Sequence, residues 1–61
     1  MKYFLDGLND NNEFERTEIN KTEAIQRLSN FYKNVEEIVE TPCYYRTMFG
    51  GVEVVEEGAE K

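Results

Sequence analysis

The stretch NKTEAIQRLSNFYKNVEEIVE, residues 20–40, decides the fold. Its apolar residues Ala24, Ile25, Leu28, Phe31, Tyr32, Val35, Ile38 and Val39 recur at steps of three and four. That spacing lines side chains along one stripe of a 3.6-residue helix. The stripe is two residues wide at several levels, so it suits the surface of a sheet better than a single neighbouring helix. Glu23, Gln26, Arg27, Asn30, Lys33, Asn34, Glu36, Glu37 and Glu40 fill the other side. Asn20 with Glu23 three residues later has the spacing of a capping box, and Thr22 is an alternative start. Thr41-Pro42 is a stop, because the proline ring disfavours helical geometry at Thr41 and offers no amide donor. The spacing therefore predicts one continuous helix over 20–40.

Working outward toward the N-terminus, residues 13–19, EFERTEI, read as a strand whose alternation is poor. Phe14 and Ile19 fall on opposite faces unless a bulge intervenes. Asp6-Gly7 and the run Asn9-Asp10-Asn11-Asn12 are turn signals, so residues 6–12 read as one connection. Residues 1–5, with Tyr3, Phe4 and Leu5, read as a short strand.

Working outward toward the C-terminus, residues 43–57, CYYRTMFGGVEVVEE, read as a hairpin. A two-residue Gly50-Gly51 loop suits a type I′ turn, which needs positive φ at both positions. That turn sets Phe49 opposite Val52, Thr47 opposite Val54 and Arg46 opposite Val55. One face then carries Cys43, Tyr45, Thr47, Phe49, Val52 and Val54, and this is the face assigned to the helix. The other carries Tyr44, Arg46, Met48, Glu53, Val55 and Glu57. Residues 58–61 read as a frayed acidic tail. The whole is an α+β fold over residues 1–61, a small antiparallel four-stranded sheet in the order ββαββ with one helix packed on one face.

Composition narrows the function classes. A chain of 61 residues buries only about 60% of the surface its unfolded form exposes, and small folds usually recruit a disulfide, a metal or a partner chain. A single cysteine, Cys43, precludes an internal disulfide, and the absence of histidine removes the commonest metal ligand. A free thiol fits a reducing cytoplasm. Residues are 39% hydrophobic and 33% charged, too apolar for disorder throughout, and no apolar run is long enough to span a membrane. Thirteen acidic residues against seven basic give a net charge of −6, with the basic residues scattered along the chain. Direct binding to nucleic acid or an anionic membrane is disfavoured, and a basic protein is the natural electrostatic partner.

The catalytic candidates are weak. Cys43 has no histidine to act as base and follows Pro42 at a strand start, so it reads as a buried structural thiol. Ser29 is a lone mid-helix serine without a relay. Residues 6–13, DGLNDNNE, resemble a calcium loop only superficially, because Leu8 or Phe14 falls at a ligand position and the required glycine is missing. The glutamates form no desolvated pair that the sequence marks, and Gly50-Gly51 leads into no helix that would cradle a phosphate. The reading is a protein without cofactor or catalytic residues.

One helix covers one face of a sheet, and the other face of the C-terminal hairpin is rich in Tyr, Met and Arg, the types enriched where proteins meet. The contact residues expected are Tyr44, Arg46, Met48, Glu53, Val55 and Glu57, with Glu36, Glu37 and Glu40 supplying electrostatic steering. The expected function is a non-enzymatic interaction protein, a homodimer in form and a regulator or inhibitor of a basic partner; its acidic surface suits imitation of nucleic-acid charge, and a net charge of −6 is equally what solubility alone would produce. The alternative is an assembly subunit whose sheet face or edge is completed by a second copy or a larger complex.

Overall fold

Strand β1, Lys2–Leu8, is central to the sheet and pairs antiparallel with a neighbour on each side. The computed structural model describes residues 1–48 and 50–58, and contains β1, β2 (Phe14–Ile19), α1 (Lys21–Leu28), α2 (Val35–Ile38), β3 (Cys43–Arg46) and β4 (Gly51–Val55). The four strands form one antiparallel sheet in the order β2-β1-β4-β3, so the two hairpins are joined along β1 and β4. Phe49 and residues 59–61, which include Glu60, lie outside the described residues. Of the tail expected over 58–61, Gly58 is described, at φ 88°.

The four-stranded antiparallel sheet with helical cover is present, with β1 longer than its local signals suggest. Asp6, Gly7 and Leu8 continue the strand, opposite Arg16, Glu15 and Phe14. The turn is confined to the next four residues. Asn9 Oδ1 accepts from the amides of Asn11 and Glu13, and Asn12 takes the left-handed φ of 64°. What overrides the Asp-Gly turn signal is cross-strand pairing, above all the Arg16 guanidinium bonded to Asp6. The β1–β2 register runs unbroken from Tyr3↔Ile19 to Leu8↔Phe14. With no bulge, Ile19 packs inward and Phe14 is left outside, 72% exposed.

The single helix over 20–40 is corrected to two. Its start is as expected: Asn20 Oδ1 accepts from the Glu23 amide at 2.8 Å. The Glu23 carboxylate pairs with Arg27 one turn on. The helix stops at Leu28, where Ser29 Oγ donates to the Gln26 carbonyl and Phe31 and Tyr32 both donate backbone amides to the Leu28 carbonyl. Ser and Asn at 29 and 30 compete with helical bonding through their short polar side chains. A second helix then begins after Asn34, whose carbonyl accepts from the amides of Glu37 and Ile38. The chain has reversed by this point. Lys21 Nζ lies 2.6 Å from Glu40 Oε2, whereas 19 residues of straight helix would separate them by roughly 28 Å.

The reversal is set by packing. Tyr32 is drawn to β3, its hydroxyl donating to the Arg46 carbonyl at 2.9 Å and its ring set edge-on to Tyr45. Val39 is brought over the start of β1, where the Tyr3 hydroxyl donates to its carbonyl at 3.0 Å. Tyr3, Ala24, Leu28, Val39, Val52 and Val54 form the buried core between helices and sheet, flanked by Leu5, Ile19, Ile25, Val35 and Ile38.

The C-terminal hairpin pairs Cys43↔Val54, Tyr44↔Glu53, Tyr45↔Val52 and Arg46↔Gly51. This is displaced from the expected register by four residues, and the loop is correspondingly longer, closed by the Thr47 amide on the Gly50 carbonyl. The glycines are needed for closeness rather than for a tight turn. A Cβ on Gly50 would stand 2.0 Å from the Asp6 carbonyl oxygen, and one on Gly51 would stand 2.7 Å from Tyr44 Cζ and from the Tyr45 carbonyl oxygen. Because the displacement is an even number of residues, Cys43, Tyr45, Val52 and Val54 still share one face and Tyr44, Arg46, Glu53 and Val55 the other. Cys43, by contrast, is exposed on the edge strand, which corrects the buried-thiol reading.

Candidate interaction surface

Both helices lie against the face that carries Tyr3, Leu5, Ile19, Val52 and Val54. The opposite, outer face is bare. Its side chains follow from the register: Phe14, Arg16 and Glu18 on β2, Lys2, Phe4, Asp6 and Leu8 on β1, Glu53 and Val55 on β4, and Tyr44 and Arg46 on β3. The molecule is accordingly a slab, 32 × 30 × 16 Å.

A charged network occupies the middle of this face. Arg16 donates from Nε and Nη2 to the two carboxylate oxygens of Asp6 at 2.8 and 2.9 Å, and its Nη1 lies 2.9 Å from Glu53 Oε1. The guanidinium also stands over the Phe4 ring, 5.2 Å from its centre. A planar fork satisfies two carboxylates and a ring at once, which an ammonium would not do. The Arg16 hydrogen bonds hold the Asp6 carboxyl below its ordinary pKa, and the same contacts raise the pKa of Arg16. Beside them the Tyr44 ring lies over Gly51, where a side chain would collide with it. Burial, with the nearby Asp6 carboxylate, raises the Tyr44 phenol.

One edge of the network is apolar. Leu8, Phe14, Tyr44 and Met48 line one shallow depression together with Arg46 and Gly50. Leu8 and Met48 also line a second depression that reaches Phe31 behind α1. Leu8, Phe14, Phe31, Tyr44 and Met48 are the exposed large hydrophobic residues of the described chain, between 43% and 72% exposed, and these two depressions join them into one patch. It begins on the outer face and wraps over the end of the sheet.

The residues expected to make contact are only partly brought together. Tyr44, Arg46 and Met48 lie in the patch, and Glu53 and Val55 share its face. Glu53 is bonded to Arg16, and Arg46 lies opposite Gly51 rather than Val55, a consequence of the displaced register. Glu57 lies beyond β4, 3.7 Å from the Met1 amine. Glu36 and Glu37 are exposed on α2, and Glu40 is held by Lys21, on the helical side of the sheet. That bond lowers the Glu40 pKa and raises that of Lys21. The steering glutamates and the aromatic patch therefore belong to opposite layers.

Leu8, Phe14 and Phe31 are the surface residues that sequence reading missed. For Phe14 the signal was present, since it and Ile19 cannot share a face and only one can reach the core. Leu8 was hidden by the turn signal at Asp6-Gly7, and Phe31 by the assumption of an unbroken helix. Among the described residues no cluster of His, Cys, Asp and Glu is arranged to hold a metal ion, and no helix is long and apolar enough to cross a membrane. Compared with known proteins, the chain matches no family model, no curated protein sequence and no solved structure.

Proposed function

We propose that this chain is a non-enzymatic protein-interaction module that docks through its bare sheet face. The observation that carries the reading is the continuity of Leu8, Phe14, Phe31, Tyr44 and Met48 in one surface patch. Small soluble folds scatter such residues singly, whereas contiguous apolar patches rimmed by polar groups mark contact sites. The aromatic, Met and Arg content is that of an interface core. The charges in the middle of the face are already matched among themselves, so the contact is driven by apolar burial and tolerates salt.

The test is crosslinking of the intact chain in its native lysate at low and high salt, with wild type against Phe14→Glu and Met48→Glu. Partners retained at high salt by wild type and lost by both variants support the reading. Identical partner profiles for all three proteins sink it.

A second reading keeps the expected basic partner and places the chain as its regulator or inhibitor. It draws on the net charge of −6 and on Glu36 and Glu37, which are exposed at the start of α2 and have no ion-pair partner among the described residues. It makes the opposite forecast: partners lost as salt rises, unaffected at Phe14, and lost in Glu36→Lys/Glu37→Lys.

A further inference from the structure

The two edge strands of the sheet, β2 and β3, are left in different states. We infer that the free edge of β2 takes an extended, basic segment of another protein as a fifth strand, at a site separate from the outer face.

Register and hydrogen bonds together show which backbone groups are free. The Asn9 amide bonds to the Glu13 carbonyl just past the end of the β1–β2 ladder. Bonded pairs then recur at every second residue: Gly7 with Glu15, Leu5 with Thr17 and Tyr3 with Ile19. The Thr47 amide on the Gly50 carbonyl sets the β3–β4 ladder in the same way, with Tyr45 bonded to Val52 and Cys43 to Val54. The residues in between turn their amides and carbonyls away from the sheet. On β3 these are Tyr44 and Arg46, and both carbonyls are occupied. The Tyr32 hydroxyl donates to that of Arg46 at 2.9 Å, and Cys43 Sγ donates to that of Tyr44 at 3.8 Å. On β2 they are Phe14, Arg16 and Glu18, whose amides and carbonyls take no hydrogen bond among the described residues.

Strand β2 also lacks most of the devices that blunt an edge. It runs six residues without Lys or Pro, its register with β1 contains no bulge, and every residue but Ile19 is exposed. Helix α1 sits over β1 and β4, the two central strands. What remains at the edge is charge, and it selects the occupant. Arg16 is already matched by Asp6 and Glu53. Glu13 and Glu15 have no ion-pair partner among the described residues. Alternation carries both to the helical side of the sheet, the side of Ile19. Residues directly opposite on neighbouring strands share a face, so a strand laid beside β2 meets these carboxylates with every second side chain. Lys or Arg there is favourable, and Asp or Glu is not. A second copy brings the same carboxylates and a net charge of −6, so the charge that opposes self-pairing favours a basic partner. Backbone bonds supply the affinity and the alternate side chains the specificity, as in strand addition generally.

The probe is an eight-residue peptide in which Lys alternates with Val and Thr. It is titrated onto the intact chain, and solvent exchange of the backbone amides is followed by NMR. Binding is expected to slow exchange at Phe14, Arg16 and Glu18 and to leave Tyr44 and Arg46 unchanged. The same peptide N-methylated on the amides that face β2 is expected to bind about tenfold more weakly, as is the unmodified peptide to Glu13→Lys/Glu15→Lys. Glu18→Pro removes an outward donor and no bond within the sheet, so it is expected to stay folded by circular dichroism and to bind more weakly than Glu18→Ala. The N-methylated peptide makes the same test without altering the chain. Met48→Glu, on the outer face, is expected to bind as wild type does. Absence of binding, equal binding of the N-methylated peptide, or equal binding of a peptide with Glu in place of Lys overturns the proposal. Protection of the same amides that rises with protein concentration, without peptide, gives the edge to a second copy and overturns it too. Loss of the peptide in Met48→Glu places it on the outer face and overturns the edge site. The outer-face reading stands or falls separately, on the crosslinking of Phe14→Glu and Met48→Glu.

Discussion

The two faces of one sheet have been solved in opposite ways. The covered face is closely packed: Val52 and Leu28 are fully buried, and the Tyr3 hydroxyl is spent on the Val39 carbonyl. The bare face keeps aromatic and apolar residues of similar bulk, but sets them beside a guanidinium shared by two carboxylates. Hydrophobic content alone therefore does not separate inside from outside in this chain. What separates them is which face the helices cover, and alternation along the strands decides which residues that is.

Four substitutions sharpen or break this contrast. The largest effect belongs to the covered face. Leu28→Ala opens a cavity at a fully buried position and is expected to cost about 3 kcal/mol, enough to leave a fold of this size largely unfolded at room temperature, as read by urea denaturation. Next comes Gly51→Ala, which touches the bare face from beneath. The added methyl meets both the Tyr44 ring and the Tyr45 carbonyl, so β3 must shift, at about 2 kcal/mol by the same measurement. A silent Gly51→Ala would show that β3 is loosely attached.

Asp6→Asn is expected to cost about 1 to 2 kcal/mol at neutral pH, because it weakens a two-point hydrogen bond from Arg16 that is only partly screened. Its pH dependence has a definite sign. The Asp6 carboxyl is held below its ordinary value when folded. Its contribution is thus full above the unfolded pKa of about 3.9 and is lost as pH falls through the lower folded value. The stability gap between wild type and Asp6→Asn should close on acidification in urea melts at several pH values. A gap that widens instead would remove Asp6 from the network. The smallest effect is that of Phe14→Ser, expected within about 0.5 kcal/mol of wild type in the same melts, because the ring is 72% exposed. A large loss there would mean that Phe14 is part of a core after all.

How far the fold could be read from the sequence follows the same division between local and long-range causes. The helical stripe, the Asn20 cap, and the alternation of Cys43 to Arg46 against Gly51 to Val55 are local signals, and each is reflected in the structure. The hairpin faces survived a register error of four residues because alternation has a period of two. The break at Ser29 and Asn30 was present in residue type but outweighed by the apolar spacing on either side of it. Asp6-Gly7 misled because its strand conformation depends on Arg16, ten residues away, which no local rule weighs. The candidate surface fared likewise. Tyr44 and Met48 follow from alternation, whereas their continuity with Leu8, Phe14 and Phe31 exists only once β1 lies between β2 and β4.

That central pairing also governs how the chain acquires its shape. Lys2 stands opposite Val55, so the middle of the sheet closes the longest loop of any strand pairing among the described residues. The β1–β2 hairpin and the helical turn form from near neighbours, yet neither has a floor to rest on until β4 arrives, and β3 joins the sheet through β4. Closing so distant a contact first exacts its entropy and only afterwards rewards it. The sheet should therefore assemble in one late, concerted step, and a nascent chain released short of Val52 would have no partial structure in which to wait.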